Sequence, residues 1–374
     1  VGSVHAYSTK SGKRYLVRYK KPDGTHGAKR GFVRKREAEA WLVETEASRA
    51  RGAFIDPQAA RIKVEELGAV WLEAKRHSMK PSSFAPVETA WRLRVQPAWG
   101  GWSVSDIRHS DVRAWVSTLS QEGGATVTIR TYGVLASILD DAVHDGRISI
   151  NPARKGRIAL PRKTKRRHGY LTHEQVFRLA EASGDHRLLI LVLAYTGIRW
   201  GEVAALRVED IDFARRRLHI SRNAVEVHGQ IHVGTPKSHS SRAVPVPQFI
   251  IDELTRAVAG RRRDALVFPG PDGSYMRRIR TSSESKSWFK TALRTAELPQ
   301  MTMHDLRHTA ASLAVQSGAN VKTIQRMLGH TSAAMTLDVY SDLFDDDLDN
   351  VASALDHAAH RVAPTKWPPG AASD

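Results

Sequence analysis

Arg199, His304, Arg307, His330 and Tyr340 follow one another through the second half of a 374-residue chain. They are set in Thr196-Gly197-Ile198-Arg199-Trp200-Gly201-Glu202, His304-Asp305-Leu306-Arg307-His308 and Leu328-Gly329-His330. Together they supply guanidiniums, imidazoles and a phenol, the set needed to hold a phosphodiester and attack it. Two arginines can clamp the non-bridging oxygens through paired N–H donors, a planar fork that lysine does not offer. A phenol with an unperturbed pKa of about 10 is a weak nucleophile at neutral pH. An imidazole that accepts its proton makes attack feasible. Tyr340 would then become covalently joined to the strand, and no metal or other cofactor is required.

Local signals place these residues on elements. Residues 186–196, HRLLILVLAYT, form an apolar run too short to span a bilayer and suited to a buried core helix. Gly197 ends it, Glu202–Leu206 begins another helix, and Arg199 falls at the junction, where its alternative role is a C-terminal dipole cap. Gly329 can close one helix and Thr331 or Ser332 can cap the next, which puts Tyr340 two turns into a new short helix. His304 and His308 share a helix face and could instead bind zinc, but the metalloprotease pattern needs glutamate after the first histidine, and Asp305 stands there. Taken alone, Tyr340 reads more readily as a half-buried packing residue than as a nucleophile, and its place ten residues after His330 reverses that preference.

The order Arg, Lys, His-x-x-Arg, His, Tyr resembles that of the tyrosine recombinases, or phage-type integrases. The resemblance implies that Arg199 and Arg307 bind the scissile phosphate and that His304 assists proton removal from the nucleophile. His330 would hydrogen-bond a phosphate oxygen, and Tyr340 would form a 3′-phosphotyrosyl link while a 5′-hydroxyl leaves. In that family a lysine on a β-hairpin turn protonates the leaving oxygen. Lys237, in Thr235-Pro236-Lys237-Ser238-His239-Ser240-Ser241-Arg242, looks like it, although an ordinary basic turn reads the same. Glu202, three residues after Arg199, matches an acidic position thought to orient that arginine.

Composition agrees with a polyanionic partner. The net charge is +18, hydrophobic residues make up 41%, and there is no cysteine, which excludes disulfides and thiolate chemistry. The N-terminus lacks the apolar run of a signal peptide, and nothing resembles a membrane span or lipidation signal, so a cytoplasmic, DNA-associated protein of a bacterial host cell is expected.

The expected fold is multidomain and mainly α with small antiparallel sheets. Residues 1–60 alternate as strands around Val4–Tyr7, Arg14–Tyr19 and Gly31–Val33, followed by a helix from Lys35 to Ala50 with Ala38, Trp41, Leu42 and Thr45 on one face. Thirteen basic and six acidic residues give this segment a charge of +7. Arg14, Arg18, Lys20, Lys29, Arg30 and Arg34 are its candidate DNA contacts, with a solvated strand face as the alternative. The segment resembles the small three-stranded domain with which many phage integrases bind arm sites.

Residues 61–153 read as helices from Val64 to Arg76, Pro86 to Val95, Ser110 to Leu119 and Ala125 to His144. The stripes Leu67, Val70, Trp71, Ala74 and Val112, Trp115, Val116, Leu119 are assigned to the core, and Ser110-Asp111 to a helix cap. By resemblance this is a helical core-binding domain. Residues 154–167 hold eight basic residues and no acid, Arg162, Lys163, Lys165, Arg166 and Arg167 among them, and read either as a phosphate-contacting linker or as a plain spacer.

Residues 168–374 form the catalytic domain with its C-terminal tail. Thr172 and Gln175 match a capping box. Strands are expected near Arg217–Ser221, Ala224–Val227, Ile231–Gly234 and Arg242–Pro247, and helices over Phe249–Ala259, Ser282–Ala296 and Asp305–Ser317. After Tyr340 comes the acidic run Ser341–Asp349, then a Val351, Leu355, Ala358, Ala359 stripe that either docks on a neighbouring subunit or packs on its own chain.

The resemblance implies a site-specific recombinase acting on double-stranded core and arm attachment sites as a homotetramer, integrating and excising phage or mobile-element DNA. A host DNA-bending protein and an excisionase would be accessory partners, and no membrane is involved. The rivals are a type IB topoisomerase-like enzyme and a non-catalytic DNA-binding repressor.

Overall fold

In Gly12–Lys20 (β2), buried Val17 and Tyr19 alternate with exposed Arg18 and Lys20, the period of a strand with one covered face. The strand pairs antiparallel with Ser3–Thr9 (β1) and His26–Phe32 (β3), in the order β1-β2-β3. The third strand begins earlier than the sequence suggested, because its glycines and charges carry little strand signal. A register shift between Tyr15 and Val17 marks a bulge in the pairing with β3. Helix α1, Lys35–Ala50, covers one face: Ala38 and Thr45 are buried, and the Trp41 ring sits edge-on to Tyr19 at 5.3 Å.

The computed structural model describes residues 2–21, 24–50, 54–56, 58–163, 169–236, 241–279 and 286–340, with Ser353, Leu355, Asp356, Ala359 and His360 beyond; for Met335, Asp338, Val339 and Tyr340 the description is of the backbone alone. It divides into two units, residues 1–165 and 166–374. No helix among the described residues is long and apolar enough to cross a membrane.

After the sheet, the first unit is helical: α2 (Val64–Ser78), α3 (Pro81–Ala90), a wide turn at Trp91–Val95, α4 (Gln96–Trp99), α5 (His109–Glu122) and α6 (Ala125–His144). Its core collects Val64, Trp71, Trp91, Val95, Val112, Val116, Leu135, Ile138 and Leu139. The Trp71 indole donates to Ser137 Oγ at 3.0 Å, tying α2 to α6.

Three expectations are corrected here. Val70 is 72% exposed and Ala74 is also exposed, so only Leu67 and Trp71 of that stripe reach the core. Helix α3 starts at Pro81, where proline needs no N–H partner, and Pro86 lies inside it. Ser110-Asp111 does not precede α5: Arg108 holds the N-cap position, and Asp111 reaches back from the first turn to accept its N–H at 3.1 Å. Beyond α6, Asn151 donates to Ala136 O and Asp140, Arg154 pairs with Asp140 at 2.7 Å, and Ile158 and Leu160 pack on this core.

The second unit opens with α7 (His173–Ala182), whose Thr172–Gln175 capping box is formed. Helix α8 (Arg187–Thr196) is buried along Leu189–Ala194, as a run that is apolar on all sides must be. Then come α9 (Trp200–Ala204), β4 (Ile211–Asp212), β5 (Arg217–Ile220), β6 (Asn223–Val227), β7 (Gln230–Gly234), β8 (Arg242–Pro245), α10 (Gln248–Val258), α11 (Trp288–Thr295), α12 (Asp305–Gln316), α13 (Val321–Leu328) and α14 (Ala333–Tyr340). Strands β4, β5 and β8 make one antiparallel sheet, and β6 with β7 a separate hairpin. Helix α11 begins six residues after the expected Ser282, and residues 280–285 lie outside the described residues. Helices α8 and α12 pack together in the core that also holds Phe289, Leu293, Leu306 and Leu313.

Candidate active site

Three helix ends build the site. Gly197, at φ +63°, closes α8 in the left-handed region that glycine adopts without penalty, and a side chain there would run into Leu328. Gly329, at φ +67°, closes α13 in the same way. Between them lies the first turn of α12. Arg307, 3% exposed, donates to Gly197 O and to Leu328 O, each at 2.6 Å. One guanidinium thus takes up an orphan carbonyl at each of two helix C-termini and fixes their spacing.

Arg199 occupies the N-cap of α9. Its backbone N–H donates to Glu202 Oε2 at 2.8 Å and its guanidinium to Oε1 at 3.0 Å. Glu202 is 1% exposed and also receives Arg242, through Nη1 at 3.0 Å and Nη2 at 2.7 Å. Burial pushes the Glu202 carboxyl up. The hydrogen bonds and charge of Arg242, then the Arg199 amide and guanidinium, outweigh burial, and the net direction is downward. Glu202 is therefore a carboxylate that holds two guanidiniums in place, one of them the expected Arg199.

Arg242 was not singled out by sequence. It starts β8, donates through Nε to Met327 O at 3.1 Å, and lies so close to Gly329 that a side chain there would strike it. It joins the Arg199–Glu202 pair to the segment that carries His330. Nothing in local spacing signals this, because Glu202 and Met327 are remote in sequence.

His304 stands exposed at the N-cap of α12, its ring edge-on to His308 at 5.2 Å. Asp305 turns away, accepting from the Thr302 amide and hydroxyl at 2.6 and 2.8 Å. His304 and Arg199 line one cavity of about 430 Å³ together with Trp200, Asn223, Arg278 and Thr302. His330 is half-buried, and its Nδ1 lies 2.9 Å from Thr336 Oγ1. Burial first, then the nearby charges of Arg307, Arg199, Arg242 and His304, push its pKa down to about 4. At neutral pH His330 is uncharged among cations. The structure thus gathers Arg199, His304, Arg307 and His330 around one place, with Glu202 behind them.

Two expected site residues are not placed with them. Lys237 lies outside the described residues; the β6–β7 hairpin itself turns at His228-Gly229, and residues 235–241 lead from β7 to β8 in the other sheet. Tyr340 ends α14, two turns in as expected, and its side chain lies outside the described residues.

The candidate DNA contacts separate by face. Arg14, Arg18 and Lys20 point to the open side of β2, away from α1, beside Tyr7, Ser3 and His26 on the neighbouring strands. Arg30 and Arg34 are exposed. Lys29 instead pairs with buried Val17 and sets its ammonium 4.7 Å from the centre of the Trp41 ring on the covered side. Arg162 and Lys163 are exposed; Lys165, Arg166 and Arg167 lie outside the described residues.

Residues 169–346 match the phage integrase family. The integrase of Mycobacterium phage FRAT1 is 28% identical over 80% of this chain and 92% of its own. Among solved structures, the Tn1549 transposon integrase in complex with a circular intermediate DNA superposes with a TM-score of 0.66 at 21% identity, covering 79% of this chain and 99% of that one. A lambda integrase tetramer bound to a Holliday junction gives 0.57 at 17% identity, covering 88% and 96%. With the fold shared and the family pattern matched over residues 169–346, that segment is a phage integrase domain, the tyrosine recombinase type of enzyme that cleaves and rejoins DNA, in a chain similar to integrases over about four fifths of its length.

Proposed function

We propose that this chain is a site-specific recombinase that cuts each strand through a covalent 3′-phosphotyrosyl intermediate on Tyr340. The observation that carries this is the double tether of Arg307 to Gly197 O and Leu328 O, together with the nearness of Arg307, Arg199 and His304 to His330, whose imidazole feels the charge of all three. Arg199 and Arg307 hold the non-bridging oxygens and neutralise the charge that builds on the phosphorane. His304, exposed at the mouth of the site, takes the phenol proton. His330 donates a hydrogen bond to a phosphate oxygen, and Lys237 protonates the departing 5′-oxygen. The bond energy stays in the phosphotyrosine, so rejoining needs no nucleotide cofactor.

In this assignment residues 1–60 bind arm-type sites through the open sheet face, residues 61–153 grip the core site, residues 154–167 connect the two across the backbone, and residues 168–374 do the chemistry. Four copies act together on two duplexes, in keeping with the tetramer seen for lambda integrase on a Holliday junction. The biological setting is integration and excision of phage or mobile-element DNA, with a host DNA-bending protein and an excisionase setting direction.

The decisive experiment uses a nicked duplex carrying the core site, sought in DNA flanking the gene. Wild type traps a protein–DNA adduct that survives denaturation, and Tyr340→Phe traps none. An adduct in the Phe variant would move the nucleophile elsewhere. Absence of adduct in both proteins would leave a DNA-binding protein without strand cleavage. Relaxation of plasmids lacking the site would favour topoisomerase action.

A further inference from the structure

His330 is fixed in position from two sides. Its backbone N–H donates to Gln325 O at 3.1 Å and its carbonyl accepts from Gln325 Nε2 at 3.2 Å, so the residue is clamped to the end of α13. On the other side its Nδ1 meets the hydroxyl of Thr336 at 2.9 Å. Thr336 is fully buried and sits in α14 four residues before Tyr340, one turn away on the same helix face.

A neutral imidazole carries one N–H and one lone pair, and the partner of one nitrogen decides which nitrogen is which. His330 is kept neutral by burial and by the cations around it, Arg307, Arg199, Arg242 and His304. A phosphate oxygen only accepts. The ring can therefore serve a phosphate only if its N–H is on Nε2, and then Nδ1 must itself accept. Threonine in a helix can send its hydroxyl hydrogen back to the carbonyl one turn earlier. Among the described residues, however, the hydrogen bond that the structure gives this hydroxyl is the one to His330.

We propose that Thr336 is a positioning residue: its hydroxyl donates to Nδ1 of His330, fixes the imidazole as the Nε2–H tautomer, and ties the helix that carries Tyr340 to the ring that meets the phosphate. The inference rests on the assignment of His330 as a phosphate donor. The same hydrogen bond selects the tautomer and sets the distance between the nucleophile's helix and the imidazole of His330. A hydroxyl suits the task because it orients a neutral ring without adding charge to a cluster of cations.

The test uses the full chain labelled with ¹⁵N-histidine, with His330→Gln to assign the signal, alongside single-turnover cleavage of the nicked duplex. Wild type should show His330 as the Nε2–H tautomer. Thr336→Val, which keeps the branched shape and loses the hydroxyl, should show mixed tautomers and cleave roughly tenfold more slowly, the scale of one neutral hydrogen bond. Thr336→Ser should restore both the single tautomer and most of the rate. An Nδ1–H signal in wild type overturns the proposal whether or not the valine variant folds, and so does a valine variant that keeps the single Nε2–H form. If His330→Gln cleaves at the wild-type rate, the phosphate role of His330 falls, while the tautomer result still reports on Thr336 by itself.

Discussion

The open face of the N-terminal sheet and the cluster around Arg307 are both basic, yet they hold their charge in opposite ways. On the sheet, Arg18 and Lys20 stand exposed on a strand, with no side-chain hydrogen bond or ion pair among the described residues to fix their direction. In the second unit, Arg307 is buried and the Arg242 side chain is 9% exposed, and each is bound to groups that leave it little freedom: carbonyls for Arg307, Glu202 and a carbonyl for Arg242. The first arrangement attracts a polyanion along its length and is screened by salt. The second costs stability unless every partner is present, and in return offers donors that need no reorganisation when charge develops. Long-range affinity suits the former, and chemistry at a single phosphorus the latter.

The largest effect should come from Arg307. Arg307→Ala should lower the cleavage rate by at least ~10²-fold, as removal of a preorganised anion donor does elsewhere. It should also lower the melting temperature, because two buried carbonyls lose their partner at about 1–3 kcal/mol each. Arg199, whose side chain is 28% exposed and among the described residues bonds to Glu202, should lose a similar factor in rate with little change in melting. Single-turnover cleavage and thermal denaturation on the same preparations check this. Equal melting losses for the two variants would mean that burial does not distinguish them.

Arg242→Met comes next. It leaves the Glu202 carboxylate buried with one partner, and breaking a buried pair costs roughly 3–5 kcal/mol. Adding Glu202→Met should recover most of that stability, since an apolar pair of similar volume replaces an ionic one. Cleavage should not recover, because Arg199 has then lost the carboxylate that orients its fork. A double variant that regains both would reduce Glu202 to a structural anchor.

How much of this was legible in the sequence divides along the same lines. Helices α1 and α6 run over the residues their periodicity indicated, and Gly197, Gly329 and Glu202 announced themselves because each acts within three or four residues of its partner. Arg242 did not: it meets Glu202 and Met327 across the fold, and an arginine at the start of a strand gives no local sign of such partners. Val70 and Ala74 share a stripe with Leu67 and Trp71, but a stripe is core only as far as a neighbour covers it. Thr336 was within reach, one helical turn before Tyr340 in the same helix.

Proton linkage gives a smaller effect. His330 has its pKa pushed from the ordinary 6.5 to about 4 by burial and by Arg307, Arg199, Arg242 and His304. Between those values the unfolded chain binds a proton that the folded site refuses, so stability should fall as pH drops from 6.5 toward 4. His330→Gln should flatten that part of the stability curve and leave it unchanged above pH 6.5. A bound phosphate brings negative charge to the ring and raises its pKa, so DNA binding near pH 5 should take up a proton, measurable as a buffer-dependent binding enthalpy that the Gln variant loses. No difference between the two proteins would mean that the ring is not held in that field of cations.

The smallest effect falls within the sheet itself, and it tests the distinction most closely. If Arg14, Arg18 and Lys20 work as solvated cations on the duplex backbone, alanine at each should reduce the salt dependence of arm-site binding by roughly 0.9 for every phosphate left without its cation. Cleavage of an isolated core site should be unaltered. Lys29 has the same charge and lies on an adjacent strand, but it pairs with buried Val17 and so falls on the covered face, where its ammonium sits over Trp41. Burial, then the charge of Arg61, lowers its pKa. Lys29→Met keeps the aliphatic stem over the ring and should leave the salt slope where it was. If the slope drops as far for Lys29→Met as for Lys20→Ala, binding depends on the total charge of the module, and which face a side chain occupies does not matter.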